Sequence, residues 1–168
     1  MLSEKVENIL NIQVDREGYS SHLYLSMAVW AEKEGLGGIA DWLYAQAEEE
    51  RMHMLKLVRY INERDGNAKI IAVKEPPAEF GSVREMFDKV LEHEKFITGS
   101  FNEIVKVCIE ENDHTTHNWI QWFVTEQIEE EASVKSLIDK LKLVGEHNMY
   151  MFDRDILGMR GGGEAAAE

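Results

Sequence analysis

Both prolines of this 168-residue chain are adjacent, at Pro76 and Pro77. Proline lacks a backbone donor and clashes with the preceding helical turn, so it marks where a helix cannot run. Confining it to one place leaves long uninterrupted stretches on both sides, and their start and stop signals define four long helices. Helix A spans about 3–33, with Ser3 as N-cap and Gly35 as stop. Helix B spans about 38–65 and stops at Gly66. A polar, extended stretch, 67–81, holds both prolines. Helix C, about 82–111, opens on Ser82-Val83-Arg84-Glu85, a capping box in which each end residue satisfies the other's backbone N–H. Helix D, about 113–144, has Asp113 as N-cap and ends at Gly145. The amphipathic segment 149–158 forms a short fifth helix, residues 1–158 form one domain, and 159–168 reads as a flexible tail.

Connection lengths then set the topology. A to B and C to D are joined by turns of a few residues, so each pair is an antiparallel hairpin. The B–C connection has about 16 residues and reaches ~50 Å when extended, whereas a helix of about 28 residues is ~42 Å long. It can cross the whole bundle and let C run parallel to B. The expected fold is all-α: a four-helix bundle with one long crossover.

The formal net charge of -14 sets the chain against nucleic acid and anionic membranes and in favour of cations, unless the acidity serves solubility alone. One cysteine, Cys108, excludes an internal disulfide framework and any cysteine-based metal knuckle; its apolar surroundings make it a buried structural thiol. With no secretory pattern and no run approaching 18 apolar residues, the expected location is cytoplasmic.

The chemistry lies in polar residues on apolar helix faces. Glu50 and His53 put a carboxylate and an imidazole one turn apart on helix B, beside Leu43, Ala47 and Leu57. Glu94 is centred among Phe87, Val90, Leu91, Ile97 and Phe101. Gln127 shares its face with Ile120, Phe123, Val124 and Val134, and with Glu130. Glu17 has a mixed face: Leu10, Val14 and Tyr24, but also Gln13, Ser20 and Ser21. Heights agree within each hairpin. Glu17 lies ~24 Å from the A–B turn, against ~18–23 Å for Glu50 and His53; Glu94 and Glu130 each lie ~25 Å from the C–D turn. Burying unpaired carboxylates is costly. Four of them with one imidazole suit two hard-to-intermediate divalent ions, with Glu50 placed to bridge. The alternative is a hydrogen-bonded polar network without metal. Zinc fits less well, because the set has a single histidine and no cysteine.

On Glu17, Tyr24, the Glu50-x-x-His53 pair, Glu94 and the run Glu126-Gln127-Ile128-Glu129-Glu130, residues 1–158 resemble the ferritin family, specifically its haem-free prokaryotic members. The resemblance implies an iron-storage protein with a ferroxidase centre, at which Fe(II) is oxidised by O2 or H2O2. One iron would be held by Glu17, Glu50 and His53, and the other by Glu50, Glu94 and Glu130, with Gln127 hydrogen bonding nearby. A third iron would use Glu49, Glu126, Glu129 and Glu130; Glu126 and Glu129 alone also fit a solvated charge run. Tyr24 would bond near the centre and donate an electron, with Trp122 a further candidate donor. Ferric oxide would be stored in a hollow homo-oligomeric 24-subunit shell, with the apolar segment around Met149, Tyr150, Met151, Phe152, Ile156 and Leu157 packing at its fourfold axes.

Related families fit less well. Bacterioferritins carry a second Glu-x-x-His, where this chain reads Gln127-Ile128-Glu129-Glu130, and a haem-binding methionine where it has Arg51; no haem is expected. Rubrerythrins add a cysteine-rich domain. Carboxylates line the threefold channel of animal ferritins at positions matching about His117 and Ile120 here. Glu110, Glu111, Asp113 and His114 are either a substitute entry or a solvated helix junction. His22, His93 and His147 read as surface or packing residues. Two rival functions remain at this level: a di-iron oxidase that stores nothing, and a non-catalytic helical structural protein.

Overall fold

The computed structural model describes residues 1–160, which contain helices and no strand. The long helices are α1 (Glu4–Lys33), α2 (Gly37–Glu63), α3 (Val83–Glu110) and α4 (His114–Val144), followed by the short α5 (Met149–Asp155) between 3-10 turns at Glu146–Asn148 and Ile156–Met159. Their signals act as the sequence implies. The Ser3 side chain accepts from Val6 N, Asp113 from Thr116 N, and the Ser82–Glu85 capping box closes in both directions. At the end of α2 the left-handed residue is Asp65 (φ 57°), not Gly66. Gly66 is needed for space instead, since a Cβ there would lie 2.9 Å from the Ile61 carbonyl oxygen.

The crossover tracks α1 from its beginning to its end. Asn11 bonds Asn67 O and Lys69 N, Ser26 bonds Pro77 O, and Lys33 pairs with Glu79. It therefore returns the chain to the start of α2, and α3 descends parallel to α2. Cross-helix pairs fix the remaining directions: Tyr24–Glu94 and Lys5–Glu111 set α1 against α3, while Gln46–Glu130 and Tyr60–Thr116 set α2 against α4. This is the four-helix bundle with one long crossover.

The apolar interior is divided. One cluster contains Val6, Leu10, Leu57, Ile97, Phe101, Ile104, Cys108, Ile120 and Phe123. The other contains Met27, Trp30, Trp42, Leu43, Phe87, Val90, Val134, Leu137, Phe152 and Ile156. Between them each long helix contributes buried polar side chains: Gln13, Glu17 and Ser20 from α1, Gln46, Glu50 and His53 from α2, Glu94 from α3, and Gln127 and Glu130 from α4. A stable bundle has no packing reason to interrupt its core on all four helices at one level.

The C-terminal segment closes the bundle end. Phe152 and Ile156 are buried, with Phe152 edge-on to Phe87, whereas Tyr150, Met151 and Leu157 stay exposed. Asp153 caps the N-terminus of α2, its carboxylate accepting from Ile39 N at 2.8 Å. A Cβ on Gly38 would collide with the Asp153 carbonyl oxygen. Gly38→Ala is therefore expected to lower stability by about 1–3 kcal/mol and to release α5, read as a lower melting temperature with faster amide exchange over 149–156. Of the stretch read as a tail, Met159 packs on the cluster that holds Phe152 and Ile156, and Arg160 pairs with Glu49; 161–168 lie outside the described residues.

Candidate metal centre

Glu17, Glu50 and His53 converge from adjacent helices. His53 Nδ1 lies 3.5 Å from Glu50 Oε2 and 3.8 Å from Glu17 Oε2, and each residue offers one ligand atom within 4.8 Å of the others. All three are buried. Gln13, one turn before Glu17, donates to Glu17 Oε1 at 2.5 Å, while Glu17 Oε2 is buried with no hydrogen-bond partner. Its mixed face in the sequence resolves as fully inward: its exposure is 0%.

Glu94 and Glu130 complete the layer from the second hairpin. Tyr24 donates its hydroxyl proton to Glu94 Oε1, and Gln127 Nε2 donates to Glu94 Oε2 at 3.0 Å. Gln46 Nε2 donates to Glu130 Oε2 at 2.7 Å. Glu17 and Glu130 thus each have an amide on one side and Glu94 a phenol and an amide, which orients these three carboxylates and leaves lone pairs free. Gln13 and Gln46 were the residues sequence reading did not assign a role. Their signal was available: each is an inward amide one turn before a candidate ligand.

The electrostatics of this layer are unbalanced. Burial pushes the Glu17, Glu50 and Glu130 carboxyls well above the ordinary carboxylate range, and mutual repulsion adds to it. Burial also raises Glu94, against the hydrogen bonds from Tyr24 and Gln127. Burial beside Glu94 and Glu50 raises the Tyr24 phenol well above its usual value. No lysine or arginine is among the buried residues described. These groups must either keep protons or share a cation. The orphaned Glu17 oxygen beside the His53 imidazole and the Glu50 carboxyl, with Glu94 and Glu130 buried in the same layer, fits the second requirement chemically.

A second potential ligand group, Glu49, His53 and Glu126, lies further out, so His53 stands between the two. Glu129 and Glu130 share a small cavity with Glu49 and Glu126, and Glu129 itself is exposed. Trp122 packs edge-on to His53, at 5.5 Å between ring centroids, with the Lys56 ammonium over the Trp122 ring at 3.2 Å from its centroid.

Other sequence candidates fall elsewhere. Ile120 is buried in the cluster that holds Phe101 and Phe123 and cannot line a channel. Asp113 caps α4 and pairs with Arg64, and Glu111 pairs with Lys5, so half of the proposed substitute entry cluster is engaged in holding helix ends. Glu110 and His114 are exposed at the same junction. His22 and His147 are exposed; His93 packs among Tyr19, Tyr24 and Phe96 and bonds Ser20, and its burial lowers its pKa to about 4. Cys108 is buried, which raises its thiol to about 11 and makes it a poor nucleophile.

A crossover four-helix bundle whose core is cut by a carboxylate–histidine layer defines the class of metal-carboxylate bundle proteins. The ferritin-like domain family matches residues 7–144. The chain is 42% identical over 158 residues to a bacterial non-heme ferritin of Campylobacter jejuni, covering 93% of this chain and 95% of the relative. It is 37% identical over 160 residues to the bacterial non-heme ferritin of Bacteroides fragilis, covering 95% and 100%. Its fold superposes on the open pore ferritin of Archaeoglobus fulgidus with a TM-score of 0.90 at 41% identity, covering 92% of this chain and 96% of that one. The chain belongs to the ferritin family, among its haem-free prokaryotic members, which store iron.

Proposed function

We propose that this chain takes up Fe(II) at the mid-bundle layer, oxidises it with O2 or H2O2, and passes Fe(III) to a hydrated oxide mineral held inside a hollow 24-subunit homo-oligomer. One observation carries the reading: four buried carboxyls around one imidazole, with no buried cation among the described residues to balance them. Glu17, Glu50 and His53 would hold one Fe(II), and Glu50, Glu94 and Glu130 the other. Carboxylate ligands favour the harder ferric product, which supplies part of the driving force. Gln13, Gln46 and Gln127 keep the ligands aligned. Tyr24, bonded to Glu94, is placed to give an electron to a reduced-oxygen species. Glu49, Glu126, Glu129 and Glu130 would take a third iron on the way out.

Assembly is supported by what one chain leaves uncovered. Tyr150, Met151 and Leu157 are exposed on the same short segment whose Phe152 and Ile156 anchor it to the bundle. Apolar side chains rigidly presented in this way call for a partner surface. No described helix is long and apolar enough to cross a membrane.

The test adds several hundred Fe(II) per assembled particle to metal-free protein in air, then separates the products by size with iron detection. The expected result is iron co-eluting with a very large protein species. Fast oxidation with iron precipitating outside a small species would replace this reading with a di-iron oxidase that stores nothing. Absence of fast oxidation would remove the catalytic centre.

A further inference from the structure

We propose that Arg160 is a tethered counter-ion that fills the outer acidic pocket when no Fe(II) is there and competes with the incoming cation for it. The proposal rests on reading the outer carboxylates as an iron position. Glu49, Glu126, Glu129 and Glu130 line one cavity, together with Arg160 from the end of the C-terminal segment. Arg160 Nη2 donates to Glu49 Oε2 at 2.6 Å, with both side chains about three-quarters covered (27% and 24% exposed). Such a short, charge-assisted bond in a partly dry site is stronger than an open surface pair.

The competition follows from sharing one carboxylate. Glu49 is also the residue that, with His53 and Glu126, presents ligand atoms within 4.8 Å of one another. A cation held there must take lone pairs of Glu49 and would face a guanidinium repelling it across a few ångströms. Only about 40 Å³ of cavity remains beside Arg160, room for roughly one or two waters but not for a cation with its hydration shell.

Arg160 is also built to leave. Its nearest fully buried anchor is Ile156, four residues earlier, with Met159 partly buried beside it, and among the described residues its backbone makes one long 3.4 Å bond, to Leu157 O, before the chain turns extended. Swinging the side chain away breaks one ion pair and no helix. The pocket therefore alternates between a resident guanidinium and a metal cation, which keeps it neutralised in both conditions and makes the outer position weaker than the inner layer. Iron would be held there long enough to pass and too weakly to accumulate.

The test titrates the metal-free assembled protein anaerobically with Mn(II), a redox-silent probe in this setting, and follows free Mn(II) by electron paramagnetic resonance. Wild type is expected to show tight inner positions and one weaker outer position. Arg160→Gln is expected to tighten the outer position by about tenfold, leave the inner ones unchanged, and keep assembly and helix content. Arg160→Lys retains the charge and is expected to stay close to wild type. An outer affinity in Arg160→Gln equal to or weaker than wild type overturns the proposal, as does a tighter outer position in Arg160→Lys than in Arg160→Gln. Wild type with inner binding and no outer position would instead remove the reading of the pocket as an iron site, and Arg160's role with it. The two failures are thus distinguishable.

Discussion

Glu50→Gln is expected to slow Fe(II) oxidation by about a hundredfold or more while making the metal-free protein more stable. The two effects have one cause. Glu50 is buried, its carboxyl held far above the ordinary range by burial and by Glu94 and Glu130, and no buried lysine or arginine described is near to balance it. Whether it stays ionised at a cost or takes up a proton at a cost, the folded metal-free chain carries that penalty. An isosteric neutral amide removes it, which is worth about 1–3 kcal/mol, or roughly 2–4 °C in melting temperature for each kcal/mol in a domain of this size. The same amide cannot bridge two cations, so both positions lose a ligand. The measurement pairs stopped-flow oxidation with thermal melting in chelator. A variant that melts lower than wild type without metal would mean that Glu50 has a compensating partner and that the layer is structural. Unchanged oxidation kinetics would sink the centre itself.

This trade of stability for chemistry also explains what was legible in the sequence. A carboxylate centred in an apolar stripe is conspicuous, so Glu50, Glu94 and Gln127 stood out, and the two prolines with the long crossover defined the topology. Glu17 was ambiguous because its neighbours Gln13 and Ser20 looked like a solvated face. They are buried too, one bonded to Glu17 and the other to His93, so the face is polar and inward at once. Periodicity reports polarity, not the direction a polar face points. The residues that escaped sequence reasoning act across the bundle or from its end. The Gln46 bond to Glu130, the Asp153 cap on α2 and the Arg160 pair with Glu49 join positions separated by 84, 114 and 111 residues. No local pattern encodes such contacts; they exist only once the fold has set the helices side by side. Ile120, apolar where animal ferritins carry a channel carboxylate, argues in the sequence against that entry route, and its burial in the core agrees.

The second large effect is on pH dependence. Metal-free protein is expected to lose stability as pH rises above the ordinary carboxylate range, and metal-loaded protein is expected to lose much less. A carboxyl whose folded pKa lies above its unfolded one binds more protons in the folded state through the interval between the two, so its contribution is full below the unfolded pKa and is lost as pH rises through the folded one. Glu17, Glu50, Glu94 and Glu130 all have this sign. Groups of opposite sign act lower. The lowered carboxyls of Glu85, Glu111, Asp113, Glu131 and Asp155 complete their titration below the ordinary carboxylate range. His93, lowered to about 4 from an ordinary 6.5, adds stability as pH rises between those values and nothing beyond. A fall in stability with rising pH beyond the His93 window therefore belongs to the layer. A divalent cation replaces its protons and removes the slope, so binding must release protons. Melting curves in chelator and in excess Mn(II) at several pH values read the slope, and calorimetry in buffers of different ionisation enthalpy counts the protons. A metal-free curve that does not fall with pH beyond the His93 window, or binding without proton release, would mean that the carboxyls are ionised and balanced before any metal arrives. Glu50→Gln separates the layer from the rest of the chain: with Glu50 neutral, the slope should shrink while His93 keeps its own, lower window.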